Sequence, residues 1–180
     1  AQQPTVIYED FILNNPLNGI VDFSTIPVVF FNSVDIIYGL PSSNWGNGGV
    51  AGAVILDNVE TNNYNQYLEY GNTFGSFNQK TNYLKFGLKN KKTVNSFKIH
   101  HQNSLNNYPF INPNNETTKQ ENAAIKNISY MGETKFLINK KNNLSLIYFG
   151  QNLEREIPPS IHEGFTNAKQ IDNNHRIFLN

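Results

Sequence analysis

Between Tyr38 and Asn58 the chain reads YGLPSSNWGNGGVAGAVILDN, and this stretch constrains the fold more than any other. It carries Gly39, Gly46, Gly48, Gly49 and Gly52, then runs directly into the apolar segment Ala53-Val54-Ile55-Leu56. Glycine is favoured where the backbone takes a positive φ or approaches another segment closely, and each one adds to the entropy lost on ordering. A glycine cluster that ends in a buried-looking strand therefore implies a tight turn pressed against neighbouring backbone. Gly46 to Ala51 also matches G-x-G-x-x-G/A, the dinucleotide-binding loop. That loop must follow a strand and open a helix, whereas this one follows Trp45 and opens a strand. The glycines are expected to be structural.

The totals narrow the function classes. The 180 residues suffice for a domain with a real core. Fourteen cationic side chains balance fourteen anionic ones. This removes the electrostatic basis for binding nucleic acid or an anionic membrane surface. The absence of cysteine excludes disulfides and thiolate metal sites. The opening AQQPTV has neither the basic nor the apolar region of a signal peptide, and no run approaches the roughly 18 apolar residues of a membrane helix.

Candidates for chemistry are few. His100 and His101 are adjacent, so on a strand they face opposite ways. His162 and His175 fall in or beside the last loop, and no histidine has zinc-site spacing. Glu154-Arg155-Glu156 reads as a solvated or self-paired cluster, because the arginine keeps both carboxyls ionised. No nucleophile constellation is present. The expectation is a protein that is not an enzyme and holds no metal or cofactor.

The texture changes near residue 60. Before it, Thr5–Glu9, Ser33–Tyr38 and Val50–Leu56 read as strands, Asn14–Gly19 as a loop, and Ser24–Pro27 as the start of a short apolar helix through Phe31. After it, the pattern is alternating. Ile128, Tyr130, Gly132, Thr134, Phe136 and Ile138 fall on one face of a strand, and Asn127, Ser129, Met131, Glu133 and Lys135 on the other. Connections alternate too: Asn90–Lys92 and Asn139–Asn143 are short, whereas Ser104–Glu121 and Glu154–Gln170 are long. Membrane barrels show this alternation, with tight turns on one side and long loops on the other.

The order of these pieces resembles the end of the plug domain of TonB-dependent outer-membrane receptors. The matching pieces are Tyr8–Asp22 (YEDFILNNPLNGIVD), Ile26-Pro27, the strand Val34–Tyr38, and Gly39–Asn58, with Gly39, Ser42, Gly46, Gly48, Val50 and Gly52 in register and Trp45 at the aromatic position. Phe74–Phe77, Tyr108–Phe110, Gln120–Ala123 and Glu154–Pro159 are similar to the first barrel strands and loops of the vitamin B12 receptor-like branch found in Bacteroidetes. Asp10, Tyr38 and Ala51 depart from the family's turn glycine, arginine and first paired glycine. The resemblance implies a mostly β chain. Residues 1–60 would be the C-terminal part of a plug domain, with short strands and short helices. Residues 61–180 would be about six antiparallel meander strands of an incomplete transmembrane β-barrel.

The implied role is energised uptake across the Gram-negative outer membrane, as a fragment of a receptor powered by TonB. The ligand would be a cobalamin-like compound or an iron chelate such as a siderophore. The resemblance places Asn14, Asn15, Leu17 and Asn18 at a plug tip that touches this ligand, and lipid of the outer membrane around the strands. The alternative is a self-contained soluble β-rich binding module of the envelope. Such a module must bury the stripe of Ile128, Tyr130, Phe136 and Ile138 under another layer.

Overall fold

A computed structural model describes residues 4–15, 18–38, 52–58, 65–139, 142–160 and 166–180. The protein is mostly β and divides into two compact units, residues 1–63 and 64–180.

The first unit holds a four-stranded sheet of β1 (Thr5–Tyr8), β2 (Phe11–Ile12), β3 (Ser33–Ile37) and β4 (Ala53–Asp57), in the order β2-β1-β4-β3. β1 runs parallel to β4 and antiparallel to β2, and β3 runs antiparallel to β4. β1 is buried along its whole length, which explains its continuous TVIY sequence in place of an alternating one. Val6, Tyr8, Leu13, Phe30, Phe31, Val54 and Leu56 belong to the core. Tyr8 meets Phe31 edge-on at 5.2 Å. Its buried hydroxyl accepts a hydrogen bond from Asn58 Nδ2 at 2.7 Å, so a large aromatic residue is buried with its oxygen satisfied.

Two local features correct the sequence expectation. The hairpin between β1 and β2 turns through Glu9 (φ 45°) and Asp10 (φ 67°), both left-handed. A two-residue turn with positive φ at both positions matches the twist of its strands, and aspartate tolerates that region, so Asp10 fills the place of a glycine. The helix expected from Ser24 to Phe31 is instead two 3₁₀ turns, Phe23–Thr25 and Val28–Phe30. The residue before a proline is disfavoured in the helical region. Ile26, before Pro27, is extended at φ −82°, ψ 114° and stops the first turn.

The second unit is a six-stranded antiparallel sheet. Its strands are β5 (Gln66–Phe74), β6 (Lys80–Lys89), β7 (Thr93–Ser104), β10 (Ile125–Leu137), β11 (Asn143–Glu156) and β12 (Lys169–Leu179), paired in chain order. A separate hairpin, β8 (Pro109–Ile111) with β9 (Thr117–Lys119), sits in the connection from β7 to β10. The antiparallel order places connections 75–79, 105–124 and 157–168 at one end of the sheet, and turns 90–92 and 138–142 at the other. Both long connections therefore share an end. Loop 75–79 is tied to the β7–β10 connection by the Leu105 N–H on the Phe77 carbonyl at 3.2 Å, and Phe77 packs edge-on to Tyr108 at 6.1 Å.

Candidate functional site

The sheet of the second unit has two faces of different character: a buried one that mixes polar side chains with Met131, Ile147, Phe149 and Leu153, and an exposed one rich in aliphatic and aromatic residues. In the β7–β10–β11 ladder, Ser129 lies opposite His100 and Gln151, and Met131 opposite Lys98 and Phe149. This mixed face is buried. Ser129 is 0% exposed, Asn127 2% and Lys98 4%. Its polar groups bond to one another. Gln151 Nε2 donates to Ser129 Oγ at 3.2 Å, and that hydroxyl donates to Asn127 Oδ1 at 3.3 Å. Towards β5, Lys85 pairs with Glu69 at 3.1 Å and lies 5.4 Å from the Tyr83 ring centre. The Tyr83 hydroxyl donates to the same carboxylate at 3.0 Å.

The opposite face is apolar and exposed. One cross-strand row runs Leu68, Phe86, Phe97, Gly132, Tyr148, Ile177. The next runs Tyr70, Leu84, Ile99, Tyr130, Gly150, His175. Leu68 is 71% exposed, Ile177 72% and Ile138 66%. Burying polar atoms while leaving large aliphatic side chains outside is unfavourable in water, where contiguous apolar patches above a few hundred Å² mark interaction surfaces.

Sequence reading missed an aromatic cluster on this face. His175 lies within β12, not in the last loop. Its Nδ1 faces the Tyr148 hydroxyl at 3.0 Å and the Tyr130 hydroxyl at 3.4 Å, and its ring stacks on Tyr148. Tyr130 lies across Gly150, where a Cβ would overlap the ring. These contacts depend on strand register, which no local motif encodes. His100 and His101 do fall on opposite faces, the first buried and the second exposed. Among the described residues, no three histidine or carboxylate side chains converge as metal ligands do.

The first unit carries the expected ligand loop. Asn14 is committed to backbone: its Oδ1 accepts the Val6 N–H at 2.8 Å, and its Nδ2 donates to the carbonyls of Pro4 (3.1 Å) and Gly19 (2.9 Å). The Asn15 N–H donates to the Ile20 carbonyl, and the Asn15 carbonyl accepts the Gly19 N–H. Asn18 is exposed and its Oδ1 accepts the Ile20 N–H at 3.0 Å. Leu17, Gly39, Gly46, Gly48 and Gly49 lie outside the described residues.

Gly52 is described, and its glycine identity has a clear cause. Its φ is +108°, and a Cβ there would sit 3.0 Å from the Ile37 carbonyl oxygen. Its own carbonyl accepts the Thr5 N–H at 3.1 Å, where β1 begins to pair with β4. Gly52→Ala should cost about 1–2 kcal/mol, since both the dihedral and the backbone contact oppose a methyl group. A guanidinium titration of the full chain checks this, and an unchanged midpoint would count against it.

No family model and no curated protein matches the chain.

Proposed function

We propose that the chain is the end of the plug and the first barrel strands of a TonB-dependent outer-membrane receptor. It would belong to the vitamin B12 receptor-like branch and serve energised uptake of a cobalamin-like or iron-chelate ligand. The observation that carries this reading is the inverted polarity of the six-stranded sheet. An outer-membrane barrel has an apolar band towards lipid and a polar interior, alternating residue by residue. Here Leu68, Phe86, Phe97, Tyr148 and Ile177 are turned outward, while Ser129, Asn127, Gln151 and Lys98 are buried.

Dimensions support the same reading. The ten steps from Ile128 to Ile138 cover about 34 Å at ~3.4 Å each. A tilt of about 45° projects this to about 24 Å, close to the ~25 Å apolar band of such barrels. The shared end of the two long connections fits the long extracellular loops of a barrel, with turns 90–92 and 138–142 towards the periplasm. β5 and β12 are the edges of the sheet. Lipid cannot satisfy the backbone of an open edge, so the reading requires further strands beside both. The sequence resemblance supplies the family and the ligand class.

The absence of native cysteine makes the test direct. Single cysteines at Phe97 and Leu146 on the apolar face, and at Thr81 and Gln102 on the other, are introduced into the gene. Outer membranes are then treated with a charged maleimide. Phe97 and Leu146 positions should react at least about tenfold more slowly until detergent is added, because a charged reagent is excluded from hydrocarbon. Equal reactivity at both faces, or recovery of the protein in the soluble fraction, would sink the proposal.

A further inference from the structure

The two ends of the second unit's sheet differ in charge. Connections 75–79, 105–124 and 157–168, which share one end, carry Glu116, Glu121 and Glu163 against Lys119. Turns 90–92 and 138–142, at the other end, carry Lys91, Lys92, Lys140 and Lys141 and no acidic residue. The antiparallel strand order produces this contrast, by gathering turns from separate parts of the chain.

The turn 90–92 holds its two cations in place. Asn90 Oδ1 accepts the Lys92 N–H at 2.9 Å and the Thr93 N–H at 2.8 Å, so the asparagine fixes the backbone ahead of it. The Lys92 carbonyl accepts the Leu137 N–H at 2.8 Å, which ties the turn to the end of β10. Lys91 and Lys92 are exposed and form no ion pair among the described residues. The one carboxylate on β6, β7 and β10 is that of Glu133. It lies on the mixed face, where Lys89 and Lys135 occupy the next row and share its charge. The turn therefore keeps its own positive charge.

Hydrocarbon surface lies beside these cations. Leu88, Phe136 and Ile138 are exposed and stand at the last positions of the apolar face before the turns. A lysine stem can lie along such surface with its ammonium beyond it. Cations bordering exposed apolar side chains match an anionic headgroup above acyl chains. A soluble polyanion would match the cations alone.

We propose that the short-turn end of the sheet docks on anionic phospholipid headgroups, with Lys91 and Lys92 as cations and acyl chains against Leu88, Phe136 and Ile138. The proposal rests on the membrane reading and adds a lipid-class preference confined to one end of the sheet. A zwitterionic headgroup carries its own counter-charge and gains less from the two lysines.

The test uses the full chain extracted from membranes in mild detergent, with bound lipid counted by native mass spectrometry. Phosphatidylglycerol should be retained about tenfold or more over phosphatidylcholine of the same chains, since each lysine near an anionic surface is worth about fivefold. The double variant Lys91→Gln/Lys92→Gln should lower that ratio at least about fivefold, and Lys91→Arg/Lys92→Arg should keep it. Lys119→Gln, exposed at the long-connection end, should also keep it. The turn is held by its backbone and Asn90, so the substitutions at Lys91 and Lys92 should leave folding unaffected. A ratio near one in the unaltered protein, or one unchanged in Lys91→Gln/Lys92→Gln, would overturn the proposal. So would displacement of phosphatidylglycerol by polyglutamate at equal charge concentration, which would mark a surface for a soluble polyanion. The membrane reading is decided separately by cysteine protection at Phe97 and Leu146. Loss of lipid preference with that protection intact removes the docking surface alone.

Discussion

On the barrel reading proposed above, Phe97→Arg should destabilise the sheet by about 2–4 kcal/mol, the scale for a cation on the lipid face at mid-depth. Phe97 lies between Phe86 and Gly132 in a row that spans all six strands. Towards the long connections its neighbours are Tyr70, Leu84, Ile99 and Tyr130; towards the short turns Leu88, Leu146 and Leu179 alternate with Gln66 and with Asn95 and Thr134, which bond to each other. In a bilayer a guanidinium group there would lack water, and those rows offer it no carboxylate on its face. Thr81→Arg, on the mixed face of the neighbouring strand, should cost under about 1 kcal/mol, because on the same reading that face lines the lumen, where charge is tolerated. The measurement is the guanidinium midpoint of the protein folded in phospholipid vesicles. In water the ranking would be different. Phe97 is half exposed, and replacing an exposed aromatic residue by arginine is nearly neutral. Equal tolerance at Phe97 and Thr81 would therefore contradict a lipid-facing belt.

How far this arrangement was legible differs from element to element. The alternation in β10 announces a two-faced strand, and the apolar and polar sets are those expected from period two. Which set is buried is not written in the alternation. Ser129 and Asn127 look like solvent-facing residues by composition, yet they are among the most buried side chains of the sheet. The decision belongs to the assembled ladder, where Gln151 on β11 arrives to bond Ser129.

Pairings set by register were likewise hidden. Tyr130 meets Gly150, Tyr148 and His175 only because β10, β11 and β12 align as they do. The hairpin β8–β9 lies inside the long connection Ser104–Glu121, where Asn112-Pro113-Asn114-Asn115 is a strong turn signal between its strands. The helix expected at Ser24–Phe31 failed for a local reason that was present in the sequence. Pro27 suits the first turn of a helix, but it also disfavours the helical region at Ile26.

Asn14→Ala should lower the stability of the first unit by about 2 kcal/mol or more, independently of any ligand. The side chain does the work of a missing strand partner. Val6 is fully buried, and its N–H has Asn14 Oδ1 as acceptor at 2.8 Å. Removing that oxygen strands a buried donor, which alone costs about 1–3 kcal/mol. The two bonds from Nδ2 close the loop onto Pro4 and Gly19, and each contributes about 0.5–1.5 kcal/mol. Asn14→Asp should recover only part of the loss, since a carboxylate still accepts from Val6 but cannot donate to the two carbonyls. Asn18→Ala should cost under about 1 kcal/mol, because Asn18 is exposed and makes one local bond to the Ile20 N–H. Hydrogen exchange at the Val6 amide reads the difference directly: protection should collapse in Asn14→Ala and persist in Asn18→Ala. If Asn14→Ala left Val6 protected, its bonds would be dispensable to the turn. In that case Asn14 would be as available to a ligand as Asn18. With the predicted loss, any ligand contact proposed for this loop would fall to exposed positions such as Asn18, with Asn14 shaping that surface from beneath.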